Sequence, residues 1–307
     1  MSTEDTMDII QPEPEDESGQ RYAWEVITWL VVALTIILNL ALILILLLRR
    51  NISSAVNKAI LAIAILDLFY AMLVSPFFVE NYINFYWNQS LSYCQFYIYY
   101  FTFHDMIIPG LLVLICAYVS LKYAGVMDNY KYKKIIYMVS IGLAVLISLL
   151  FAIPATVYSD IYKDDAPGAL YKQECRTYDS FTMVVSYYMS TSLLFSFSMS
   201  FLFSLCIMGS PFLREIYDRE EYSQRWRLML TLSVVNIFYI ITGFLLNFKE
   251  ISRMLYGCCD VEEPYTGVNT LTYDVWSFVF AAMEPLLRPL TLFIFYFKYI
   301  LTDYSAY

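Results

Sequence analysis

Apolar residues run along this chain in long blocks rather than in short alternations. The clearest blocks are 24–48, 59–79, 135–157 and 278–300. Three more blocks, 96–121, 183–208 and 228–248, mix aliphatic residues with aromatic ones, Ser and Thr. A helix rises about 1.5 Å per residue, so about 20 apolar residues cross a hydrocarbon core of about 30 Å. Each block is long enough. The pattern predicts an all-α membrane protein, a seven-transmembrane helix bundle. It divides the chain into an acidic tail (1–23), a membrane domain (24–300) and a very short inner tail (301–307).

Composition agrees. The 307 residues are 60% hydrophobic and only 15% charged, against about 45–50% and 25% in soluble domains. The loops between blocks leave no room for a second domain. The net charge of −9 is concentrated in the N-terminal segment and around Asp260, Glu262 and Glu263. An acidic face of this kind attracts a basic partner by steering; a merely solvated tail has the same composition.

Orientation follows from Lys and Arg in short loops. Arg49, Arg50 and Lys58 follow the first block. Lys122, Lys131, Lys133 and Lys134 follow the third, and Arg214, Arg219, Arg225 and Arg227 the fifth. The opposite loops carry fewer, mainly Lys163, Lys172 and Arg176. The N-terminus is therefore expected outside and the C-terminus inside. The first twenty residues are polar and acidic, unlike a cleavable signal peptide, so the first block is expected to direct insertion.

Of six cysteines, Cys94 and Cys175 fall outside, in an oxidising compartment, and are expected to pair. Cys258 and Cys259 are adjacent and also outside; strain disfavours a bridge between them, leaving pairing with another chain, free thiols or acylation. Cys116 and Cys206 lie within blocks and read as packing residues. Asn88-Gln89-Ser90 is a glycan acceptor in an outer loop, whereas Asn51-Ile52-Ser53 matches the same pattern on the inner side.

Enzyme signatures are missing: there is no H-E-x-x-H, G-x-S-x-G or G-x-x-x-x-G-K. A single histidine, His104, rules out a multi-histidine metal site. No cofactor, metal, nucleic acid or catalytic role is expected.

Several motifs, in order and spacing, resemble the rhodopsin-like G protein-coupled receptors, and among them the chemokine receptors. Asn39 in Leu-Asn-Leu-Ala resembles the first-helix asparagine. Leu61-Ala-Ile-Ala-Ile-Leu-Asp67-Leu resembles the second-helix Leu-Ala-x-x-Asp-Leu, with Ser75-Pro76 following. Trp87 precedes Cys94 as in the family's first outer loop. The segment 146–154, LISLLFAIP, is similar to the end of the fourth helix. Phe238-Tyr-Ile-Ile-Thr-Gly243 stands where the family has Phe-x-x-Trp-x-Pro. Arg288-Pro289-Leu290-Thr291-Leu292 stands at Asn-Pro-x-x-Tyr, and 293–299 is close to Ala-Phe-x-x-x-Lys-Phe. The likeness covers nearly the whole chain, with no single motif intact. Divergence of this kind is a family expectation for receptors captured in viral genomes.

Departures from the pattern are specific. No acid–arginine pair stands where Asp-Arg-Tyr would end the third helix; the candidates are Tyr118-Val119-Ser120 or Leu121-Lys122-Tyr123. Lys122 lacks arginine's planar fork. Ile241 replaces the sixth-helix tryptophan and Leu292 the seventh-helix tyrosine. If a heterotrimeric G protein binds, the resemblance places Lys122, Tyr123, Arg214 and Arg225 toward it, but ordinary activation is not implied.

Ionisable groups within a membrane are functional candidates. Asp67, Glu284 and Arg288 are expected to form a buried network, with Asn39 nearby; Glu284 and Arg288 share one helix face at i and i+4. In the resembled family, residues matching Asp67 and Arg288 flank a sodium ion, so Arg288 sets a fixed cation there. His104 and Asp105 are assigned a polar packing or hydrogen-bonding role. The alternative for Asp67, Glu284 and Arg288 is pairing that merely satisfies burial, and for His104 and Asp105 it is a ligand contact.

Ligand-facing candidates are Tyr93, Tyr97, Tyr100 and Phe101 in the third block, Trp276 before the last, and the acids Asp260, Glu262 and Glu263. Tyr22 follows an acidic run and is a candidate for sulfation, which suits a basic chemokine. Aromatics also belong at membrane interfaces and between packed helices. The expected function is an atypical receptor in the plasma membrane. It would bind an extracellular protein ligand and signal constitutively, signal weakly or scavenge. Lipid surrounds it, and homo- or hetero-dimers are allowed. The alternative is a ligand-free, receptor-shaped protein that binds or retains other membrane proteins. An ion path through the buried charges is the third reading, disfavoured because no inverted repeat is visible.

Glycosidase treatment tests the orientation. Asn88→Gln is expected to abolish the mobility shift of the cell-expressed protein, and Asn51→Gln to leave it unchanged.

Overall fold

The computed structural model describes residues 15–48, 55–84, 86–123, 133–163, 173–177, 195, 197–202, 223, 226–242 and 270–298. Most of these residues are helical. Helix α1 is Glu15–Leu48, α2 is Ala55–Leu73 and α3 is the short Ser75–Phe78, which runs into a π-helical turn, Val79–Ile83. Helix α4 is Leu91–Tyr123 and α5 is Lys133–Val157. Strands β1 (Ser159–Lys163) and β2 (Gln173–Thr177) follow. Helix α6 is Trp226–Thr242, and α7 is Thr270–Thr291, continuing into a second π-helical turn, Leu292–Tyr296.

Four helical stretches among the described residues are long and apolar enough to cross a membrane: Tyr22–Leu48, Ala55–Leu73, Leu91–Leu121 and Ile135–Val157. Helix α6 is apolar but shorter. Most of the expected span 183–208 lies outside the described residues, as do 243–269.

Local chemistry explains where the helices depart from the apolar blocks. Helix α1 is described from Glu15, ahead of its apolar block. The block 59–79 is not one helix, because Pro76 has no N–H for the carbonyl of Met72 and interrupts the ladder. Helix α7 begins at Thr270, before the apolar block at 278.

Helix α4 packs against α5 and α2, while α1 packs against α2 and α7. Leu42, Leu46, Ala59, Ile63, Ile107, Leu111, Ile115 and Met229 lie in the buried core. The outer surface is apolar: Leu34, Ile37 and Leu44 on α1 and Ile135, Val139, Leu143, Leu146 and Leu150 on α5 are exposed. So large an exposed apolar face suits lipid, not water. In lipid, helices associate through close packing and polar contacts rather than the hydrophobic effect.

The segment after α5 reads as a loop in sequence; it holds a hairpin instead. Strands β1 and β2 pair antiparallel with Ile161 opposite Cys175. Cys175 is disulfide-bonded to Cys94 near the start of α4 as expected, with Cα atoms 5.6 Å apart. A second fastening was not visible in the sequence. Asn81, in the π-helical turn, donates from Nδ2 to the Cys175 carbonyl at 3.1 Å. The Cys175 N–H donates back to Asn81 Oδ1 at 2.9 Å. The Trp87 N–H donates to the Gln173 carbonyl at 2.8 Å. Asn88 is exposed at this same end.

Replacing Asn81 by Ala leaves both buried main-chain groups of Cys175 without that partner. The expected loss is about 2–3 kcal/mol, read as a lower unfolding midpoint of the detergent-purified protein with the disulfide intact.

Candidate functional site

Asp67 lies on the buried face of α2, in step with Ala64, Tyr70 and Ala71. It is fully buried. Isolated, a carboxylate there would cost several kcal/mol. Arg288 on α7 meets it with a two-point fork: Nε donates to Oδ2 at 2.8 Å and Nη2 donates to Oδ1 at 2.7 Å. Arg288 is itself only 3% exposed. Its third nitrogen, Nη1, is paired with Glu284, one turn earlier on the same helix. A planar guanidinium satisfies two carboxylates in this way; an ammonium has no such fork.

His104 on α4 completes the hub. Its Nε2 lies 2.9 Å from Asp67 Oδ1. An ionised carboxylate only accepts, so Nε2 carries the hydrogen. Tyr70 stacks on the imidazole, with centroids 4.1 Å apart. Helix α6 joins through hydroxyls: Tyr239 donates to the Asp105 carbonyl at 3.2 Å, and Thr242 Oγ1, whose one hydrogen has the Phe238 carbonyl nearer at 3.0 Å, stands 3.4 Å from Glu284 Oε2. The Tyr100 hydroxyl donates to the carbonyl of Leu66, beside Asp67.

Asn39 ties α1 to the hub. Pro289 has no N–H for the Pro285 carbonyl, which would otherwise take an α-helical bond. Asn39 Nδ2 supplies a donor at 3.2 Å and also donates to Thr35 at 2.9 Å. Its Oδ1 has no partner among the described residues. A cavity of about 30 Å³ touches Asn39, Asp67 and Arg288, which is the scale of one or two waters. The chemistry available is charge fixation and helix cross-linking. Among the described residues no group of three or more His, Cys, Asp or Glu could hold a metal ion.

The predicted network of Asp67, Glu284, Arg288, Asn39 and His104 is thus brought together. Asp105 adjoins it through its backbone carbonyl. The ligand-facing candidates are not one surface. Tyr97 is 1% exposed and packs against Phe78, Trp87 and Phe101, so it offers no face to a ligand. Tyr100 and Phe101 are half-buried, while Tyr93 and Tyr22 are exposed. Trp276 lies on α7 and Lys122 and Tyr123 end α4, but their side chains are outside the described set. Asp260, Glu262, Glu263, Arg214 and Arg225 lie outside the described residues, as do Asn51, Cys206, Cys258 and Cys259. Cys116 is buried, consistent with packing. Sequence reading missed Tyr70, Tyr239, Thr242 and Asn81. A hydroxyl or amide among apolar residues carries no sign of which distant carbonyl it meets.

The chain matches no protein-family model and no curated protein.

Arg288→Met removes one partner of a buried pair and is expected to cost about 3–5 kcal/mol. Arg288→Lys keeps the charge but loses the fork and should fall between. Unfolding midpoints in detergent should rank wild type, Lys, Met. Equal midpoints for all three would remove the hub from any part in stability.

Proposed function

We propose that this chain is a divergent receptor resembling the rhodopsin-like G protein-coupled receptors, chemokine-receptor-like in its outer half. It is a seven-helix protein of the plasma membrane with its N-terminus outside. It binds an extracellular protein, a basic chemokine by charge, and is not an enzyme. The observation that carries this reading is the hairpin held over α4 by Cys94–Cys175, at the end that also exposes Asn88. That arrangement agrees with the family resemblance in the order Asn39, Asp67, Trp87, Cys94. Signalling, where a G protein is engaged, is atypical. Arg288 is a fixed cation locked to Asp67, and no acid–arginine pair ends α4.

A second reading is a receptor-shaped protein without a ligand, acting by holding other membrane proteins. The aromatic packing favours it: Phe77, Phe78, Trp87 and Tyr97 fill space between α2, α3 and α4 with one another's rings. A protein ligand resting on the outer surface is compatible with the same packing.

A labelled chemokine panel on cells expressing the intact chain separates the readings. Saturable binding, reduced at least tenfold by Cys175→Ser at equal surface expression, is the expected result. Absence of binding by well-expressed surface protein would defeat the receptor reading, and membrane partners recovered by crosslinking would support the second.

A further inference from the structure

Helix α4 carries Pro109 in its interior. Proline has no N–H, so the carbonyl four residues earlier, that of Asp105, loses its α-helical donor. In lipid an unsatisfied carbonyl is costly, and a donor from another helix is the usual remedy. Here the donor is the Tyr239 hydroxyl of α6, at 3.2 Å. Tyr239 is buried and its ring packs edge-on against Phe197. Three residues on, on the same face of α6, the hydroxyl of the buried Thr242 stands 3.4 Å from Glu284 Oε2, its one hydrogen also within reach of the carbonyls of Phe238 at 3.0 Å and Tyr239 at 3.3 Å. The residue beside Asp105 is His104, which holds Asp67.

Helices α2 and α7 are therefore joined by the Asp67–Arg288 ion pair and α4 by the His104–Asp67 bond, whereas α6 reaches this centre, among the described residues, through the hydroxyls of Tyr239 and Thr242. We infer that Tyr239 and Pro109 form a coupled latch: the proline opens a carbonyl on α4, the tyrosine closes it from α6, and with Thr242 this bond docks α6 on the hub. Loss of the latch frees α6 while the Asp67–Arg288 pair persists. The inference stands on the helix contacts alone and is independent of which functional reading above holds.

The test is hydrogen exchange, read by mass spectrometry on the full chain in lipid nanodiscs. In Tyr239→Phe, which keeps the ring, exchange within 226–242 is expected to rise about tenfold, as for loss of one net hydrogen bond. Exchange within 55–73 and 270–291 should not change. In a Pro109→Ala background the restored N–H satisfies the Asp105 carbonyl, so Tyr239→Phe should have a clearly smaller effect. Thr242→Val removes the hydroxyl near Glu284 while leaving the Tyr239 ring and hydroxyl in place, and should loosen the same α6 peptides less than Tyr239→Phe does. Unchanged α6 exchange in Tyr239→Phe and Thr242→Val, a uniform rise across all helices, or equal effects of Tyr239→Phe in both backgrounds would each overturn the latch.

Discussion

The pairing of Arg288 with Asp67 is the constraint around which the helices are arranged. Both groups are almost completely buried. Neither can be charged alone in a low-dielectric interior, so α2 and α7 must approach closely enough for the two-point fork to form. Glu284 adds a second carboxylate on the Arg288 side. His104 adds a donor on the Asp67 side. Asn39 then reaches the backbone of the same stretch of α7 from α1. A pair of this kind adds little net stability over apolar residues of similar shape; what it supplies is registry, because few other arrangements satisfy all of its groups.

Prolines set the second layer of the design. Pro109 and Pro289 each open a carbonyl inside a helix, and in each case another helix closes it, through Tyr239 and Asn39. These residues would break a soluble helix, yet in the apolar interior the opened carbonyls become joints between helices. Both joints lie within one residue of a group in the charged hub, Asp105 beside His104 and Pro285 beside Glu284. The end that carries the hairpin uses a different device. There the hairpin is fastened twice, covalently through Cys94 and by the Asn81 amide on the main chain of Cys175.

These two regions bear differently on function. The fastened end carries Trp87 and Cys94, on which part of a resemblance to ligand-binding receptors rests. Where the resembled pattern has a neutral polar group, this chain has a permanent cation, Arg288, and no acid–arginine pair ends α4. A cation fixed by covalent attachment cannot exchange with solvent ions. The hub is thus suited to holding one arrangement, and any mobility is left to elements bound by weaker contacts, such as α6.

The sequence by itself determined that four helices are long and apolar enough to cross a membrane, because length and hydropathy are local sums. The Cys94–Cys175 pair was expected from a predicted topology that put both cysteines on one side, and it is present. The sequence also determined that Asp67, Glu284 and Arg288 needed one another, because buried charge has few stable solutions. Other features depended on contacts between distant segments. The break of α2 is local, caused by Pro76, but the π-helical turn that follows has its use only where Asn81 meets Cys175. The hairpin lay in a stretch with weak local preference, where pairing and a disulfide decide the strands. Tyr97 had the pattern of a ligand contact and became core, since one face of a helix is buried only once its neighbours are placed. Tyr239 and Asn39 are ordinary polar residues until folding brings each to a carbonyl that a proline on another helix has left open. Only the tertiary structure could decide that, because the need and its remedy lie on different helices.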